Sequence, residues 1–145
     1  MTELPEWVRL LALRPHPEGG WFRETWRSDL TLDDSQLPTH YDGPRSAGTA
    51  ILFVLMPGQE AAWHRVRSDE LWLHHRGSPL AIQFGPDRHS ATERVLGPDI
   101  EAGQHPQVLI PAGQWQSARP SGAEPSLVSC IVVPGFDFAD FTLDS

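Results

Sequence analysis

The chain reads as an all-β protein, a sandwich or barrel of short strands. Three observations predict this. Short runs rich in β-branched and aromatic residues, with period-two alternation, recur along most of the sequence. Turn signals such as Met56-Pro57-Gly58, Gly85-Pro86-Asp87 and Gly97-Pro98-Asp99 separate them at even spacing. Helical periodicity is confined to the start, where Leu4, Trp7, Val8 and Leu11 recur at i, i+3, i+4 and i+7 behind Pro5 and predict one short amphipathic helix. Gly19-Gly20 reads as a turn that requires positive φ, since no helix start follows to make it a phosphate site. Strands are then predicted over Trp21–Arg27, Gly48–Met56, Ala61–Val66, Glu70–His75, Pro79–Phe84, Thr92–Leu96, Gln107–Ile110, Gln114–Ala118 and Leu127–Val133. Ser28 to Gly43 has no regular pattern and carries Tyr41, the one tyrosine. At the end, Phe136, Phe138 and Phe141 alternate with Asp137 and Asp140, which suits a closing strand or short helix packed on the outside of a barrel. At 145 residues the chain is expected to be one domain, residues 1–145, on the usual length of about 100 to 200 residues per domain.

Composition excludes several chemistries. Net charge is -8 at pH 7, and all 11 basic residues are arginine. With no lysine there can be no Schiff-base nucleophile, no pyridoxal phosphate attachment and no lysine-dependent phosphate loop. The acidic balance argues against a nucleic-acid partner, which wants a clustered basic face. No apolar run reaches the roughly 18 residues of a membrane helix, and no basic region precedes an apolar stretch at the N-terminus, so neither anchoring nor secretion is expected. The single Cys130 lies in the apolar run Leu127 to Val133 and reads as a buried, inert thiol. A cytoplasmic protein without disulfides is the expectation.

The segment from Gly58 to Gly77 carries most of the functional information. Residues two apart on a strand share a face, so His64 and Val66 point the same way. If Arg67-Ser68-Asp69 make a hairpin turn, Glu70, Trp72 and His74 form the facing stripe, with Glu70 near Val66 and Trp72 near His64. An imidazole and a carboxylate then converge on one concave surface, where they could bind a divalent cation or act as a base and its orienting partner.

The spacing Gly-x5-His-x-Val-x3-Glu-x6-Gly over this segment resembles the first motif of the cupin superfamily, with Val66 in place of its second histidine. Val108-Leu-Ile-Pro111-Ala-Gly113-Gln-Trp115-Gln116 resembles the second motif, and Gln116 stands where the family's last metal-ligand histidine is expected. The stretches Pro15 to Ser28, Trp63 to Trp72 and Pro134 to Phe138 are similar to an uncharacterised single-domain cupin subfamily. The resemblance covers almost the whole chain. It implies a double-stranded β-helix, the jelly-roll barrel, and a homodimer in which barrel-edge strands are covered. It brings no firm activity with it.

Two mechanisms compete for the site. In the metal-free version His64, oriented by Glu70, removes a proton beside a carbonyl while Gln116 or Arg23 stabilises the enolate oxygen. Deoxysugar-nucleotide epimerases among the cupins work in this way with a tyrosine acid, for which Tyr41 is the sole candidate. In the metal version His64, Glu70 and either Gln116 or His74 hold one divalent Fe, Mn, Ni or Zn ion for isomerase, lyase or dioxygenase chemistry. The missing histidines at Val66 and Gln116 lower the dioxygenase reading. Gln116 is a poor metal ligand and a good hydrogen-bond fork for a substrate carbonyl or hydroxyl. Trp72 and Trp115 are either core aromatics or stacking surfaces for a flat or sugar-like ligand. Arg23 and Glu24 alternate, so one of them faces inward, and an inward arginine would bind a carboxylate or phosphate. His16, His40, His89 and His105 sit in loop-like surroundings and are assigned no role. A third reading, a non-catalytic small-molecule-binding module, stands because fold does not fix function.

Overall fold

The computed structural model describes residues 3–144. The predicted helix forms as α1 (Glu6–Leu10), with Glu6 in its first turn and Arg9 in its last, the order that complements the helix dipole. So short a helix does not stand alone. It is held by packing, for Val8, Leu4 and Trp7 cluster with Val54, Met56, Trp21 and Leu127 on the back of a sheet.

The strands are β1 (Arg14–Pro15), β2 (Trp21–Arg27), β3 (Thr31–Leu32), β4 (Arg45–Ser46), β5 (Thr49–Leu55), β6 (Ala61–Val66) and β7 (Asp69–Gly77). There follow β8 (Leu80–Gly85), β9 (Thr92–Leu96), β10 (Gln107–Ile110), β11 (Trp115–Pro120), β12 (Ser126–Val133) and β13 (Phe141–Leu143). They form a six-stranded sheet in the order β1-β2-β5-β12-β7-β10, a five-stranded sheet in the order β13-β6-β11-β8-β9, and a β3-β4 ribbon. The two large sheets pack on each other. Phe53, Trp72, Ile110 and Val128 of the first share one buried cluster with Ala61, Ile82, Leu96 and Ala118 of the second. The alternation that marked the strands does this work, as in β12, where Ser126, Val128, Cys130 and Val132 are buried and the residues between them are not.

Every strand expected from the sequence is present, with ends displaced by at most two residues. The added strands β1, β3, β4 and β13 are two or three residues long, too short for a period to register. The expected hairpin at Arg67-Ser68-Asp69 does not form. β6 pairs with β11 and β13, whereas β7 pairs with β10 and β12, so the chain crosses from one sheet to the other. His64 and Glu70 therefore meet across the interior between facing sheets, and not across a two-stranded ladder. The Gly19-Gly20 turn has φ of 108° and 76°, in the left-handed region that was expected.

Candidate functional site

A cavity of about 630 Å³ lies between the sheets, and His64 and Glu70 both line it. β6 supplies His64 at a buried position of its alternating face, and β7 supplies Glu70 one residue inside its start. The sheet crossing sets them on one surface. The residue that contacts His64 is neither Glu70 nor a metal ligand of the motif. Glu18, at the end of the loop before the Gly19-Gly20 turn, places Oε2 2.9 Å from His64 Nε2.

Hydrogen bonding and the nearby carboxylates together set the charge of this pair. His64 Nδ1 lies 2.7 Å from the Ala62 carbonyl, which can only accept, so Nδ1 carries a proton. Nε2 faces a carboxylate and carries the second. Burial opposes that charge, but the Glu18 carboxylate at contact and the Glu70 carboxylate nearby outweigh it and raise the imidazole from 6.5 to about 9. The Phe141 ring stacks on the imidazolium with centroids 5.4 Å apart. His16 has the opposite character. Its Nδ1 accepts the Glu18 backbone N–H at 3.1 Å, and burial holds it below its ordinary value despite Glu18, with His64 adding to the depression.

Glu70 is 7% exposed, and among the described residues no cation pairs with it. Burial pushes its carboxyl from 4.5 up to about 7, against the pull of His64, while Glu18 adds to the rise and hydrogen bonds from Gln116 and Cys130 oppose it. Gln116 Nε2 donates to Glu70 Oε1 at 2.8 Å, and Trp72 Nε1 donates to Gln116 Oε1 at 3.1 Å. The Cys130 thiol beside Glu70 is raised by burial and by that carboxyl, in keeping with an inert group.

The remaining sequence candidates lie elsewhere. Gln116 and Trp72 are 1% exposed and stand behind Glu70, so neither reaches the cavity surface expected of a substrate contact. Tyr41 does not line the cavity. Its hydroxyl donates to the Arg67 carbonyl at 3.1 Å and lies 2.7 Å from Ser68 Oγ. Arg23 and Glu24 are both exposed, and Glu24, which Arg27 holds at 2.6 Å, is the one that lines the cavity. Trp115 lies under the Arg65 guanidinium at 4.9 Å, away from the cavity lining. His74 Nε2 donates to the Gly77 and Ser78 carbonyls at 3.1 and 3.3 Å and ties down the end of β7.

The sequence left Glu18 and His16 without a role, although both line the cavity. The available signal was the His-x-Glu pair directly before a turn of two glycines. The C-terminal phenylalanines also differ from the expectation. Phe136, Phe138 and Phe141 line the cavity rather than only the outside, because β13 pairs with β6 and brings Phe141 opposite Val66.

A metal ion does not fit these residues. Val66 offers no donor, Gln116 is engaged at both ends, and both His64 nitrogens carry partners. Among the described residues no three His, Cys, Asp or Glu side chains are arranged to hold one. No helix among them is long and apolar enough to cross a membrane.

An open cavity between the two sheets of an antiparallel double-stranded β-helix, with the first-motif histidine and glutamate on its inner surface, defines a cupin. The chain belongs to the cupin superfamily family DUF985, whose family model matches residues 5–144. It is 29% identical over 151 residues to the Saccharomyces cerevisiae protein YML079W, spanning 97% of this chain and 75% of that one. The crystal structure of protein SO0799 from Shewanella oneidensis is similar with a TM-score of 0.86 and 35% identity, over 100% of this chain and 86% of that one. A hypothetical protein from Leishmania major follows with a TM-score of 0.84 and 32% identity, over 97% and 86%.

Proposed function

We propose that this cupin is a metal-independent isomerase that moves a proton on a small, polar, carbonyl-bearing or sugar-like compound, with Glu70 as the proton-transfer group. One observation carries the reading. A carboxyl raised to about 7 faces a cavity of ligand size beside an imidazole whose value, raised to about 9, keeps it charged near neutral pH. Ionised Glu70 takes the proton from the carbon beside a carbonyl. The His64 charge, held in place by Glu18, stabilises the enolate that forms, and low-dielectric walls strengthen that attraction. Glu70 then returns the proton to the former carbonyl carbon, and the hydroxyl proton passes from the oxygen that becomes the new carbonyl to the oxygen that was the old one. With Tyr41 outside the cavity, the second acid of an epimerase is not supplied by that residue, and a proton shift by one carboxyl is the simpler chemistry.

The test is deuterium uptake from D2O into small aldoses, ketoses and α-hydroxy carbonyl compounds, followed by NMR. The wild type exchanges the carbon-bound proton of at least one of them, and Glu70→Gln lowers that rate by about 10²- to 10⁴-fold. No exchange in any compound that binds would reject the enzyme reading in favour of a binding module.

A further inference from the structure

Gln116 is buried behind Glu70, yet its orientation decides how Glu70 meets the cavity. An indole N–H donates and never accepts. Because Trp72 Nε1 donates to the amide oxygen of Gln116, the amide cannot turn over without leaving two buried groups mismatched. Its Nε2 must therefore face Glu70, and it donates to Oε1 in either protonation state. A carboxyl oxygen that already accepts a fixed N–H is the poorer place for a proton. We propose that Trp72 and Gln116 are positioning residues for proton transfer: the indole locks the amide, the amide reserves Glu70 Oε1 as an acceptor, and Oε2 is the oxygen that exchanges a proton with a cavity ligand. The inference rests on Glu70 as the proton-transfer group. The charged and titratable neighbours of Glu70 are Glu18 from the loop before β2, His64 from β6 and Cys130 from β12, and the variants below leave all three in place.

Without the lock the amide could offer its oxygen to a protonated Glu70, which favours the acid. The relay can be read by NMR without a substrate, from the Trp72 indole N–H and from glutamate labelled with ¹³C at Cδ. In the wild type the Trp72 indole resonance is expected to shift with the same midpoint as the Glu70 carboxyl. Trp72→Phe should raise that midpoint by about one pH unit, the worth of one hydrogen bond. Gln116→Leu should raise it too and leave the indole resonance flat. A core aromatic with only a packing role would lower the melting temperature and leave the midpoint where it was. An indole resonance that ignores the Glu70 titration in the wild type overturns the relay alone, as does an unmoved midpoint in Trp72→Phe. Should that variant not fold, the wild-type titration and Gln116→Leu still decide. A Glu70 that does not titrate anywhere from about pH 5 to 9 overturns the relay together with the proton-transfer reading.

Discussion

His64 keeps both ring protons because Glu18 stands 2.9 Å from Nε2. That pairing makes stability depend on pH in a defined direction. The folded value, about 9, lies above the ordinary 6.5, so the contribution is fully present below 6.5 and is lost as pH rises through 9. Glu18→Gln removes it. The stability gap between wild type and this variant, read from urea midpoints, should be wide near pH 6 and narrow above about pH 9. Glu70 also has a raised folded value, and its preference for the folded state is present below 4.5 and lost as pH rises through about 7. Glu70→Gln is a neutral isostere, so its stability relative to wild type should rise as pH climbs from 4.5 and be greatest above about 7, while proton transfer is lost. At this scale the sequence disclosed His64 and Glu70, because strand periodicity and glycine spacing are local. It could not disclose that His64 pairs with Glu18, since that partner arrives from another strand pair with no fixed spacing between them.

Among the elements, the C-terminal segment is held by a buried ion pair. Arg45 on β4 donates to both carboxylate oxygens of Asp140, at 2.8 and 2.7 Å, and both side chains are almost wholly enclosed. Asp140→Ala removes two charge-assisted bonds and leaves the guanidinium only the Asp42 carboxylate and the Pro44 carbonyl, so unfolding by denaturant should show a loss of about 1.5 to 3 kcal/mol. The Gly19-Gly20 turn is constrained in a different way. A Cβ on Gly20 would stand 2.6 Å from the Val54 carbonyl oxygen at a φ of 76°, and Gly20→Ala should lower the melting temperature on both counts. The long strands were legible because alternation persists over several residues. The sheet crossing after β6 was not, since a tight hairpin and a short crossing look alike in Arg67-Ser68-Asp69. The inward turn of the phenylalanines was hidden for the same reason, because alternation says which residues share a side and not what that side meets.

For the molecule as a whole, the donor set predicts a protein without stoichiometric metal. Mass spectrometry on tag-free protein, before and after incubation with Fe, Mn, Ni and Zn, should find none retained, and stoichiometric metal lost in His64→Ala would restore the metal reading. The cavity gathers its lining from distant parts of the chain, from Pro15 and Glu18 through His64 and Glu70 to Phe141. An occupant would thus touch segments near both ends of the sequence at once, and its binding would stabilise the folded chain against unfolding. By mass action, a compound at about 100 times its Kd adds about 2.7 kcal/mol to stability. In a chain of this size that is a melting shift of roughly 10 °C. Heat alone can therefore rank a library of metabolites for this cavity, and the same ranking repeated on Glu70→Gln separates compounds that engage the carboxyl from those that merely fill the space.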